Sequence, residues 1–110
     1  MAQFRMTFAV AAVLRLFLDD LDTPRYGYEL MRLTGFPSGK LYPILARLEA
    51  AKVLIKETET VDPAKAGRPA RRLYRLDASC VPAIRSELAA IHEAIHPDTA
   101  WPARLRPQGG

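Results

Sequence analysis

Near residue 52 the hydrophobic period of this chain changes from helical to extended, and few folds accommodate that order of elements. Before the change, apolar side chains at 10, 13, 14, 17, 18 and 21 form the stripe of a helix over residues 6–21. "DDLDTPR" ends it, and Thr23 or Pro24 opens a short second helix, "RYGYELMRLTG", closed by Gly35. Ser38 is a good N-cap for a third helix running to about Ala51, with Leu41, Ile44, Leu45 and Leu48 on its buried side. The tight "GFP" connection between these two is the sequence form of a helix-turn-helix.

After the change, "VLIKETETV" is rich in β-branched residues and "RRLYRL" is its expected partner strand. Between them "DPAKAGRPA", with a glycine and two prolines, suits a hairpin tip and not the interior of an element. Asp77 or Ser79 then caps a last helix reaching about His96. The expected fold is therefore mostly α with a small β-hairpin. It divides into a winged helix-turn-helix domain over 1–76, a C-terminal dimerisation helix over 77–96, and a flexible tail over 97–110.

Charge is distributed along this order unevenly. The formal net charge is +4. Residues 1–24 carry −1, residues 25–61 carry +2, residues 62–75 carry +4 and residues 76–110 carry −1. Lys65, Arg68, Arg71, Arg72 and Arg75 face a single acid, Asp62, in the third of these segments. The excess thus sits on the helix-turn-helix and above all on the hairpin, where a wing would cross a phosphate backbone. The bland reading of any such run is a solvated face.

The third helix carries a second hint. Opposite its leucine stripe lie Gly39, Pro43, Ala46 and Ala50, flanked by Lys40 and Arg47 on one side and by Tyr42 and Glu49 on the other. Small residues edged with cations allow close approach to a groove, with Lys40 and Arg47 on phosphates and alanine or proline carbons on thymine methyls. An ordinary solvated face rich in alanine is the alternative. Pro43 favours the first reading, because its missing N–H leaves the carbonyl near Gly39 without its usual partner, a cost that a helix built for stability alone would avoid.

Taken together, "YGYEL" (26–30), "PSGKLYPILARLE" (37–49) and "DPAKAGRPARRLYRL" (62–76) resemble the PadR family of transcriptional regulators, over roughly residues 6–96. The resemblance implies a homodimeric winged helix repressor that binds double-stranded DNA and releases it on taking up a small hydrophobic or aromatic effector. It places DNA contacts on Tyr26, Ser38, Gly39, Lys40, Tyr42 and the wing arginines. The chain departs from the family pattern at several positions. Lys40 stands where a threonine is usual, Lys52 replaces a glycine at the end of the third helix, and Asp77 and Cys80 replace a threonine and a glycine. Tyr26 and Tyr28 serve equally well as packing residues with wetted hydroxyls.

The last helix spaces Val81, Ile84, Leu88, Ile91 and Ile95 as a heptad seam, expected to face a second copy; burial against the first helix is the alternative. It ends in "HEAIH" (92–96), which matches the H-E-x-x-H zinc motif. The match reads as chance: the motif ends at Pro97, and only Asp98 follows as a third ligand. No catalytic constellation, cofactor or metal is expected. Trp101 either covers an apolar patch or folds onto an effector pocket, and Cys80, the lone cysteine, reads as a small buried filler. Arg15 and "DDLD" break the apolar N-terminal run before it resembles a signal peptide, and no stretch nears the ~20 apolar residues of a membrane span. A cytoplasmic protein is expected. The rival reading is a winged helix that docks another protein; five cations in fourteen residues argue against it.

Overall fold

A computed structural model describes residues 4–98 and 101–107. Helix α1 spans Phe8–Asp19, started by Thr7, whose hydroxyl accepts a hydrogen bond from the Val10 N–H at 3.1 Å. Its stripe of Val10, Val13, Leu14, Phe17 and Leu18 is buried. Leu21 lies past the helix end and is exposed, so the expected stripe stops one turn short.

The second helix, α2 (Gly27–Thr34), also begins later than expected. Arg25 and Tyr26 form a short strand, β1, antiparallel to Tyr74 and Leu73. Arg25 anchors this entry by donating to the Leu16 carbonyl at 3.2 Å and to Glu29 at 3.4 Å. Gly35 closes α2 at φ 75°, a left-handed geometry that a side chain disfavours, and its N–H reaches the Met31 carbonyl.

Helix α3 spans Ser38–Ala50. Ser38 is its first helical residue and not its cap. Pro37 takes the cap position, extended at ψ 162°, and its carbonyl accepts from Lys40 and Leu41 N–H groups at 3.0 Å. Leu41, Ile44, Leu45 and Leu48 are buried as expected. Lys52 turns the chain out of the helix at φ 62°, at a cost of about 1 kcal/mol for a residue with a Cβ. Cys80, expected as a buried filler, is half-buried, and its thiol lies 3.8 Å from the Lys52 carbonyl oxygen.

Strands β2 (Leu54–Thr58) and β3 (Arg72–Leu76) pair antiparallel from Leu54–Leu76 to Thr58–Arg72, giving a three-stranded sheet in the order β1-β3-β2. The hairpin tip is not a simple turn. It holds a one-turn helix, α4 (Pro63–Ala66), whose N-cap Asp62 accepts from the Ala64 N–H and whose end is closed by Gly67 at φ 71°. Proline at the first helical position needs no N–H there, which is why "DPAKAG" folds this way.

Asp77 accepts from the Ser79 N–H and opens a 3-10 turn at Ala78–Cys80, and α5 (Val81–Ile95) follows. It packs along α1. Val81, Ile84 and Leu88 belong to the core of this single chain. Residues 101–107, read from the sequence as tail, pack against α1. Trp101 is 7% exposed and Leu105 fully buried, and the indole N–H donates to the Leu105 carbonyl at 2.6 Å. Arg106 donates to the Trp101 carbonyl, and Arg104 pairs with Asp19 at the end of α1 at 3.0 Å. Two apolar side chains with an adjacent patch to cover suffice to order a short segment despite its prolines. The rest of that expectation at residues 99, 100 and 108–110 lies outside the described residues. The protein is thus mostly helical with a small antiparallel sheet, and no described helix is long and apolar enough to cross a membrane.

Candidate nucleic-acid interface

Burying the leucine stripe of α3 leaves its other side to solvent. Ser38, Gly39, Lys40, Tyr42, Pro43, Ala46, Arg47 and Ala50 are all exposed. Pro43 brings no N–H to the Gly39 carbonyl four residues earlier. The Arg47 guanidinium donates back to the Pro43 carbonyl at 3.3 Å, and the Lys40 ammonium sits 4.2 Å from the centre of the Phe36 ring. Glu49, at the edge of this side, is paired with Lys56 of β2 at 3.4 Å.

Beside this helix all four tyrosines converge. Tyr26, Tyr28, Tyr42 and Tyr74 line one cavity of about 310 Å³ together with Gly27, Arg71 and Arg72. Gly27 is what lets α2 and α3 meet here, since a Cβ on it would lie 2.6 Å from the Tyr42 hydroxyl. The Tyr26 and Tyr28 rings stack at 5.5 Å. Arg71 spreads over both, 5.3 and 4.8 Å from their centres, and donates to the Tyr28 hydroxyl at 3.2 Å. Burial pushes the Tyr74 phenol above its ordinary value.

Glu59, one residue past β2, ties this cluster to the tip end of the hairpin ladder. Its carboxylate receives both arms of the Arg68 guanidinium at 2.6 and 3.2 Å, the Tyr26 hydroxyl at 3.0 Å and the Arg71 backbone N–H at 3.3 Å. The Arg68 hydrogen bonds, followed by those from Arg71 and Tyr26, hold its pKa at about 2 instead of 4.5. The same carboxylate raises the Tyr26 phenol above 10.0. Arg75 pairs with Glu57 at 2.8 Å. Among the described residues no carboxylate lies within salt-bridge distance of Lys65, Arg71 or Arg72. The five cations of residues 62–75 therefore divide into two neutralised, Arg68 and Arg75, and three uncompensated.

Of the residues singled out in the sequence, Tyr26, Tyr42, Arg71 and Arg72 share the tyrosine-lined cavity. Ser38, Gly39, Lys40, Pro43 and Arg47 lie on the exposed side of α3, and Lys65 is exposed in α4. Arg68 is half-buried and ion-paired with Glu59. Glu59, Gly27 and Tyr74 carry the local architecture and were not foreseen. Only the run "YGY", with a glycine between two aromatics at a helix start, hinted at a close approach.

The seam fares differently along its length. Val81, Ile84 and Leu88 are covered by the chain itself, which is the alternative reading of the heptad. Ile91 is partly buried, and Ile95 is 49% exposed beside Phe8 at 73%, across an apolar cavity of about 430 Å³. In "HEAIH" the His92 and His96 rings lie 5.1 Å apart and His92 packs at 4.8 Å from Trp101. Among the described residues no three of His, Cys, Asp and Glu gather as a metal would need. Neither protein-family models nor curated proteins gave a match to this chain.

Proposed function

We propose that this protein is a sequence-specific, double-stranded DNA-binding transcriptional regulator, a non-enzymatic PadR-like winged helix repressor acting in the cytoplasm as a homodimer. One observation carries the reading. Tyr42 on the exposed side of α3 and two of the three uncompensated cations, Arg71 and Arg72, line the same cavity, so a helix with small residues and a cationic wing are presented together. In this reading α3 enters a major groove, Ser38, Gly39, Lys40, Tyr42 and Pro43 approach base edges, and Arg47, Lys65, Arg71 and Arg72 meet phosphates.

A second copy would cover Phe8 and Ile95, whose exposure is more than an isolated chain needs, and a two-fold pair reads half-sites about 34 Å apart. A smaller apolar cavity of about 190 Å³ between α1, α5 and Trp101 suits a small hydrophobic or aromatic effector at that end. The test is fluorescence anisotropy with the DNA upstream of the protein's own gene against a scrambled duplex, at two salt concentrations. A preference for the upstream duplex that survives added salt is expected. Equal, salt-sensitive binding to both leaves a non-specific binder, and no binding to either replaces the reading with a protein-docking module.

A further inference from the structure

We infer that Glu59 is a positioning residue that clasps the wing where its tip loop leaves the strand ladder, withdrawing Arg68 from the DNA and seating Arg71 as the phosphate contact. The inference rests on the DNA-binding reading and sharpens it, since sequence alone counts Arg68 and Arg71 as equivalent cations.

The carboxylate of Glu59 is 12% exposed and receives four donors from three residues, two from Arg68, one from Tyr26 and one from the Arg71 backbone. Both oxygens are engaged by the Arg68 fork, a geometry that fixes direction as well as distance. A guanidinium held this way has already lost part of its hydration and its field, so a phosphate must compete with a carboxylate for it. Arg68 also donates to its neighbour's carbonyl, on Pro69, at 3.2 Å, just past the tip helix.

Arg71 is in the opposite situation. Its backbone N–H is tied to Glu59 and its carbonyl accepts from the Glu59 N–H at 2.8 Å, so its Cα cannot drift. Its side chain lies across Tyr26 and Tyr28, and Tyr26 is itself oriented by the hydroxyl bond to Glu59. Glu59 thus fixes the main chain of Arg71 and the ring beneath its guanidinium, while among the described residues no carboxylate neutralises that guanidinium. A positioned, uncompensated cation with one flank packed on aromatics is what a phosphate contact requires.

The experiment compares wild type with R68Q, R71Q and E59Q, each shown to be folded by circular dichroism, in duplex binding over a salt series. R71Q is expected to flatten the slope of log K against log salt by about 0.9, one phosphate. R68Q is expected to leave that slope unchanged. E59Q is expected to lower affinity severalfold without flattening the slope, because Arg71 loses its seat while Arg68 regains its charge. Equal flattening by R68Q and R71Q overturns the inference, as does wild-type affinity in E59Q. Where R68Q does not fold, R68K decides. It keeps a charge but cannot fill both oxygens, so reduced affinity at constant slope upholds the clasp and wild-type affinity overturns it. If the wild-type chain binds no duplex, the DNA reading falls on its own. The clasp is then judged by the Glu59 carboxyl titration in carbon-13 NMR: a midpoint well below 4.5 that returns to the ordinary range in R68Q upholds it, and an ordinary midpoint in wild type overturns it.

Discussion

The two ends of this molecule solve opposite problems with similar numbers of residues. At one end α1, α5 and residues 101–107 meet through apolar side chains, and Trp101 and Leu105 are buried there while Phe8 and Ile95 are left out. At the other, α3 and the hairpin meet through tyrosines and arginines, with Gly27 making room for Tyr42 and Glu59 collecting donors. Apolar burial is non-directional and tolerates a partner of many shapes, whereas the polar cluster fixes the direction of each group. In the proposed reading the first end joins a second copy and the second reads DNA.

Variants that damage one end and spare the other test this division. The largest effect is expected from W101A, which removes a buried indole and should destabilise the fold by about 3–5 kcal/mol. Thermal unfolding reads it, and the salt slope of duplex binding in the remaining folded protein should not change. Next, F8E combined with I95E places charges on the exposed apolar residues. It should yield monomers in sedimentation while leaving the fold intact, with duplex affinity down on the order of 100-fold through lost avidity. Weaker dissociation than this would move the seam's role back inside the single chain.

Smaller effects are expected at the reading end. Glu59 titrates lower when folded than the ordinary 4.5, so the stability it contributes is complete above pH 4.5 and is lost as pH falls towards about 2. E59Q should lack that acid-dependent step, measurable as a flatter dependence of the melting temperature over the same window. K40A should change sequence preference on a panel of duplexes by about tenfold at one position, as expected for a residue near base edges. The smallest is K52G, which relieves a positive φ and should stabilise by about 0.5 kcal/mol without altering binding.

Much of the fold was legible because the helices of this chain announce themselves by stripe and terminus. Leu41, Ile44, Leu45 and Leu48 could face only one way, and Gly35 could end α2 without strain. What the sequence concealed has a common physical cause, which is dependence on partners distant in the chain. The strand at Arg25–Tyr26 is two residues long and exists because Leu73 and Tyr74 are beside it. Glu59 has no local signature, since its partners are 9, 12 and 33 residues away. A heptad such as Val81–Ile95 is satisfied equally by a helix of the same chain or of another, and Val81, Ile84 and Leu88 are buried within this one. Trp101 and Leu105, isolated among prolines, gave no periodicity, though a buried indole can order a segment without any.

The division between the ends is tested most directly by nitrogen-15 NMR during titration with the upstream duplex. The largest amide shifts are expected at Ser38–Arg47 and at Lys65–Arg72, with residues 8–15, 88–96 and 101–107 nearly unmoved beyond the general broadening of a larger complex. Shifts concentrated on α1 and the end of α5, with α3 and the hairpin silent, would contradict that division.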